Sequence, residues 1–159
     1  GRRKQREITT AACKLMWCPK DPNELARFLT DDFGPLLAKH WDKETARTGV
    51  QHSLDVPAFM AAWEQRGIAL VMAYDGDKAV GFMPLYIFRP LFMLGTVVTV
   101  ERWYAESPAV EKSMFDYLVS VVPVLGVDQV HVAQHDGQHI PDHIELDMSD
   151  DYRMSRLKV

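Results

Sequence analysis

Cysteine is scarce: the 159 residues contain two, Cys13 and Cys18. Their C-x4-C spacing has no second pair to complete a four-ligand set. Neither a disulfide framework nor a structural zinc knuckle is therefore expected, and two reduced thiols are the plain reading. Long apolar runs are missing too. No stretch reaches the roughly 18 apolar residues of a membrane span, and the first residues lack the charged-then-apolar order of a signal peptide, so a cytoplasmic chain with no membrane partner is expected. An excess of positive charge is also absent, with 18 Lys and Arg against 22 Asp and Glu, a net charge of −4 and a pI near 5.8. Nothing in that balance favours nucleic acid, whose phosphates require clustered cations. Internal repeats and low-complexity linkers do not occur. What is present is 47% hydrophobic, 10% aromatic and 25% charged residues, enough for one core and one domain over 1–159. Arg2, Arg3, Lys4 and Arg6 give a basic start, with 1–6 expected as a flexible tail.

Local signals order the elements. A first strand is expected over Ile8–Leu15. Asp21-Pro22-Asn23-Glu24 supplies an N-cap, a proline at the first helical position and an acid in the first turn, with Leu25, Phe28 and Leu29 at helical spacing behind it. Phe33-Gly34-Pro35 is expected to break that helix, Leu36, Leu37 and Trp41 to form a second short one, and Asp42–Ser53 to be a loop. Asp55 caps a third helix carrying Phe59, Met60 and Trp63, and Gly67 stands where a left-handed terminating residue is expected. Ile68–Tyr74 and Ala79–Phe88 flank Asp75-Gly76-Asp77-Lys78 as an antiparallel hairpin. A third strand follows over Thr96–Tyr104, and Ser107-Pro108 opens a helix with Val110, Met114, Leu118, Val121 and Val122 on one stripe, which Pro123 should end or kink. Asp128–Ala133 then lies parallel to Thr96–Tyr104 through a right-handed crossover. A closing hairpin is expected from Ile144–Met148 and Tyr152–Val159.

That order, together with three fragments, resembles the GCN5-related N-acetyltransferase (GNAT) superfamily. Ala79-Val80-Gly81-Phe82 is similar to the family's (I/V)-x-G-(F/Y) strand start. Trp103-Tyr104-Ala105 is similar to the W-Y-V that ends its fourth strand, and Gly126-Val127-Asp128-Gln129-Val130 to the G-(A/V)-x-x-V that leads into its fifth. The resemblance implies an α+β fold, a single GNAT-like domain with a mostly antiparallel, splayed sheet flanked by helices. It also implies acetyl-CoA as cofactor and N-acylation of a small-molecule or protein amine. In the family, a glycine-rich turn, V-x-P-x-x-R-G-x-G-x-G/A, holds the acyl-CoA pyrophosphate at a helix N-terminus, where backbone N–H groups and the helix dipole favour anions. Alignment on Trp103-Tyr104 puts Ala105 at the Val, Ser107 at the Pro, Val110 at the Arg, and Glu111, Ser113 and Phe115 at the small positions; a one-residue shift to Pro108 puts Glu111, Lys112 and Met114 at the Arg and the first two glycines. The turn is thus degraded, with a carboxylate where a diphosphate belongs. Trp103, Tyr104, Ala105, Lys112 and Ser113 are the residues the resemblance assigns to the cofactor.

Two classes of function follow. One is an acyl-CoA-dependent transferase; the other is a non-catalytic interaction protein on the same scaffold, either a phage virion component or an inhibitor of a host protein, in keeping with phage-type members of this size. For the first, Glu101, two residues before Trp103, is the candidate general base, the alternative being a solvated carboxylate or one paired to Arg102 or Arg89. The family's thiolate-protonating Tyr has no counterpart within His131–His143, leaving His135, His139 or water for that step. Tyr104 and Tyr117 read as packing residues, as do Trp41, Trp63 and Phe59. His131, His135, His139 and His143 recur every four residues, but Gly137 and Pro141 deny them one helix face, so solvent-facing histidines are favoured over a metal site. Arg89–Leu94 is either a buried strand or an exposed apolar surface for a protein partner.

Overall fold

Three helices start as their caps dictate. In the computed structural model, which describes residues 10–92, 94–135, 137–147 and 157–158, Asp21, Asp55 and Ser107 each accept a backbone N–H with the side chain, and each is followed by a proline in the first turn. They open α1 (Pro22–Arg27), α3 (Val56–Glu64) and α4 (Pro108–Leu125). Between α1 and α3 lies α2 (Gly34–Thr48), and here the expectations fail twice. Phe33-Gly34-Pro35 does not break the path. Phe28–Phe33 is a π-helical turn in which Gly34 N–H reaches Leu29 O, five residues back. The wider turn accommodates Pro35, whose ring would otherwise meet a carbonyl of the preceding turn. A Cβ on Gly34 would come within 2.5 Å of Leu29 O, so only glycine fits this approach. The expected loop Asp42–Ser53 is also largely helical, because α2 runs on to Thr48 with His40 and Glu44 buried. These two polar residues face Arg102 and Arg47, while Asp42, Lys43 and Thr48 are exposed.

The sheet has the order β1-β2-β3-β4-β6, with β5 paired to β3. Its strands are β1 (Ala12–Met16), β2 (Ile68–Asp75), β3 (Lys78–Phe88), β4 (Val97–Val100), β5 (Tyr104–Ala105) and β6 (Gln129–Val132). All neighbours are antiparallel except β4 and β6, which are parallel across the α4 crossover, as expected. Strand β2 is buried on both faces and sorts its side chains with period two. Ala69, Val71 and Ala73 meet Val110, Met114, Phe115 and Leu118 of α4; Ile68, Leu70 and Met72 meet Phe28, Phe33, Phe59 and Trp63 of the α1–α3 layer. The sheet is the middle layer of an α+β sandwich. No helix among the described residues is long and apolar enough to cross a membrane.

Other boundaries differ from expectation. Arg66, not Gly67, takes the left-handed conformation after α3. Pro123 lies inside α4, which continues two residues further to Leu125. The run Arg89–Leu94 is not a buried strand: Leu91, Phe92 and Leu94 are fully exposed in the turn before β4. Residues 144–147 form no strand. The rest of the expected closing hairpin, and the basic start 1–6, lie outside the described residues.

The third expected strand is interrupted, and the interruption shapes the site. Tyr86 pairs with Thr99 and Phe82 with Tyr104, so four steps along β3 match five along its partner. One extra residue between β4 and β5 is a β-bulge, which bends the strand and drops backbone groups out of the ladder.

Candidate functional site

Ligands of open sheets with parallel strands gather at the carboxyl ends of those strands, where a crossover reverses direction. Here that place is the end of β4 and β6. The parallel ladder runs from Asp128 N–H on Thr96 O (2.9 Å) to Ala133 N–H on Val100 O (2.8 Å), after which the strands separate. The bulge leaves Glu101 C=O and Trp103 N–H facing the gap, and Gln138 takes both. Its Oε1 accepts from Trp103 N–H at 3.1 Å, and its Nε2 donates to Glu101 O at 3.0 Å. Gln138 is buried, as is Ile140 beside it. A tight turn presents it, through reciprocal backbone bonds between His135 and Gln138. Sequence reasoning missed Gln138 because its partners lie 35 and 37 residues away and glutamine carries no motif.

The N-terminus of α4 adjoins this gap. Pro108 has no N–H to offer, Val110 N–H is taken by Ser107 Oγ (3.2 Å) and Glu111 N–H by Ser107 O (3.1 Å). Glu111 itself accepts from Trp103 Nε1 at 2.9 Å, placing a carboxylate at the positive end of the helix. Trp103 is buried edge-on against Phe115. Ser113 Oγ donates to Ala109 O and accepts from Ala11 N–H, tying the chain before β1 to the helix. Lys112 points outward and pairs with Asp116 (2.8 Å). Ala105 pairs with Gly81, where a Cβ would come within 3.0 Å of Tyr104 O and Met114 Sδ. Tyr104 OH donates to Glu106, which also binds Lys39; burial first, then Glu106, pushes the phenol up to about 12. Of the residues assigned to a cofactor, Trp103, Tyr104, Lys112 and Ser113 have their polar side-chain groups occupied by this chain's own partners.

The two catalytic candidates are separated in their contacts. Glu101 is exposed, and its charge, after burial, helps raise the Tyr86 phenol. His135 is half-buried; its Nδ1 accepts from Gly137 N–H at 3.1 Å, and the ring lies near Glu44, whose carboxyl it helps hold down. Glu44 sits chiefly with Arg47, at 2.6 Å. One turn earlier His40 is buried against Arg102, Nε2 to Nη1 3.3 Å. Burial first, then Arg102, pushes His40 down to about 4, so it is neutral at pH 7. Trp41, expected in the core, is half-buried between His52 and Arg102; Phe59 and Trp63 are core as expected, and Tyr117 packs on the core edge. No group of three or more His, Cys, Asp or Glu among the described residues is placed to hold a metal ion. His131 contacts Gln129 and His143 contacts Asp116, on different elements. Two surface clefts, of about 310 and 430 Å³, share Arg27, Asp32 and Asp77 and include none of the predicted site residues.

No family model matches the sequence, and no curated protein matches it. Solved structures do match. A ribosomal-protein-alanine N-acetyltransferase from Brucella melitensis biovar Abortus 2308 superposes with a TM-score of 0.64 at 15% identity, over 93% of this chain and 99% of its own. An aminoglycoside acetyltransferase from an uncultured soil metagenomic sample, solved with sisomicin, gives 0.58 at 11% identity over 91% and 97%. A protein described as a probable acetyltransferase gives 0.58 at 11% over 92% and 99%.

This chain has the GNAT fold. Within that fold, the residues do not fit the acyl-CoA that the fold implies. A diphosphate at the start of α4 would meet Glu111 and a first turn whose Val110 and Glu111 N–H groups are already bonded to Ser107. An extended amide chain entering between the diverging strands would meet Gln138, which occupies Trp103 N–H and Glu101 O.

Proposed function

We propose that this GNAT-fold chain is a non-catalytic interaction protein, binding a host or virion protein rather than transferring an acyl group. The observation that carries this is the buried Gln138 amide bonded to both Trp103 N–H and Glu101 O, in the gap between the parallel strands. Displacing it would strip partners from two backbone groups. The exposed side chains of Phe88, Leu91, Phe92 and Leu94 supply apolar surface of the kind a protein partner covers. Calorimetric titration with acetyl-CoA and CoA tests the reading. No heat of binding at millimolar ligand is expected; micromolar binding refutes it.

A second reading, acyl-CoA-dependent N-acylation of a small-molecule or protein amine, is favoured by one observation, the near-complete overlay on an N-acetyltransferase. Glu101 would then be the base and His135 the candidate acid, with Lys112 freed from Asp116 to meet phosphate. The same titration separates the two, and Glu101→Gln would lower acylation without unfolding the chain.

A further inference from the structure

We infer that residues Gly137–Ile144 form a strap that locks the gap beyond β4 and β6, with the Gln138 amide standing in for an extended amide-bearing ligand. The inference rests on the reading above and names the groups that enforce it. A primary amide offers one acceptor and one donor side by side, as each secondary amide of a pantetheine arm does, and Gln138 spends them on Trp103 N–H and Glu101 O. The strap is held on both flanks. Toward α2, Gly137 packs so closely that a Cβ would collide with the Arg47 side chain, and His135, at the base of the turn, lies near Glu44. Toward α4, His143 Nε2 meets Asp116 Oδ1 at 2.6 Å. In the middle, Ile140 is buried in the α4 side of the core and its N–H is taken by Gln134 Oε1 at 3.0 Å. Contacts to α2 on one flank and to α4 on the other thus bridge the two helical layers across the opening. The lock has two parts that act on different portions of a ligand: Gln138 blocks an uncharged amide arm, and Glu111, held by Trp103 Nε1, repels a diphosphate.

Binding of pantetheine and of CoA to the wild type, Gln138→Ala and the Glu111→Ala/Gln138→Ala double variant reads the two parts apart. Pantetheine is expected to bind Gln138→Ala at least tenfold more tightly than the wild type. CoA is expected to bind the double variant at least tenfold more tightly than Gln138→Ala. A folded Gln138→Ala chain that ignores pantetheine, with the wild type silent toward CoA, overturns the lock and leaves the proposed function standing; wild-type CoA binding overturns both. Hydrogen exchange of the wild type decides the matter if the variants do not fold. A locked strap predicts that the Trp103 amide is protected to within about tenfold of those of Val71 and Met83 on the central strands; exchange as fast as that of an unprotected amide overturns the inference.

Discussion

His40 should make this protein lose stability in mild acid, well before its carboxylates titrate. The imidazole is 3% exposed and faces Arg102, with Lys43 and His52 adding to the unfavourable field and Glu44 opposing it. Its pKa falls from 6.5 to about 4 on folding, so between those values the unfolded chain binds a proton that the folded chain refuses. Stability contributed by neutral His40 is therefore complete above the unfolded pKa and is lost as pH falls from 6.5 toward 4. Integrating one proton over this window gives about 2 kcal/mol between roughly pH 7.5 and pH 5, approaching about 3 kcal/mol at lower pH. Glu44, Glu106 and Asp116 are held below their ordinary values, and their contributions vanish only as pH drops below about 4.5. Urea unfolding at intervals across this range isolates the effect. His40→Gln keeps an acceptor for Arg102 and removes the titration, so its profile should be flat where the wild type slopes. A flat wild-type profile, or a slope that survives in His40→Gln, refutes the argument.

Two further substitutions test the packing. Gly34→Ala would gain about 1 kcal/mol in an ordinary helix, but here its methyl meets Leu29 O at 2.5 Å, so a loss of about 1–3 kcal/mol is expected; a raised denaturation midpoint contradicts the π-helical turn. Tyr74→Phe removes the 2.8 Å donor to Asp32, a carboxylate 7% exposed that Arg27 approaches at 3.6 Å. It should cost about 1–3 kcal/mol by chemical denaturation, and a change within about 0.5 kcal/mol would show that water replaces the phenol.

Local chemistry was legible where one short segment decides it. Asp21, Asp55 and Ser107 cap because each precedes a proline and a periodic apolar face, and the Asp75–Lys78 turn pairs its strands whatever surrounds it. The failures share a cause in distant partners. Asp42–Thr48 reads as loop because it is polar, yet Glu44 is buried by Arg47 and the turn after β6, some 90 residues on. Thr96–Tyr104 reads as one strand because the bulge depends on register with β3, which no local pattern encodes. Gly67 is a sound terminator by composition, but Arg66 takes the strained position. The missing glycines before α4 were visible; the residue that fills the gap, Gln138, was not.

The core and the gap beyond β4 and β6 are held by different residues in this chain. The α4 residues that pack on the sheet, Val110, Met114, Phe115 and Leu118, share one stripe of the helix, whereas Glu111 turns to Trp103 and Lys112 to Asp116, outside that core. Glu111 accepts from Trp103 Nε1 and Ser113 Oγ from Ala11 N–H, both bonds that glycine could not supply. In the bulge Gln138 takes Trp103 N–H and Glu101 O, so these two groups need no ligand for their hydrogen bonds. A scaffold can in this way keep its layers and its crossover while its opening becomes part of its own packing, which is why the proposed protein partner is sought on its outer surface.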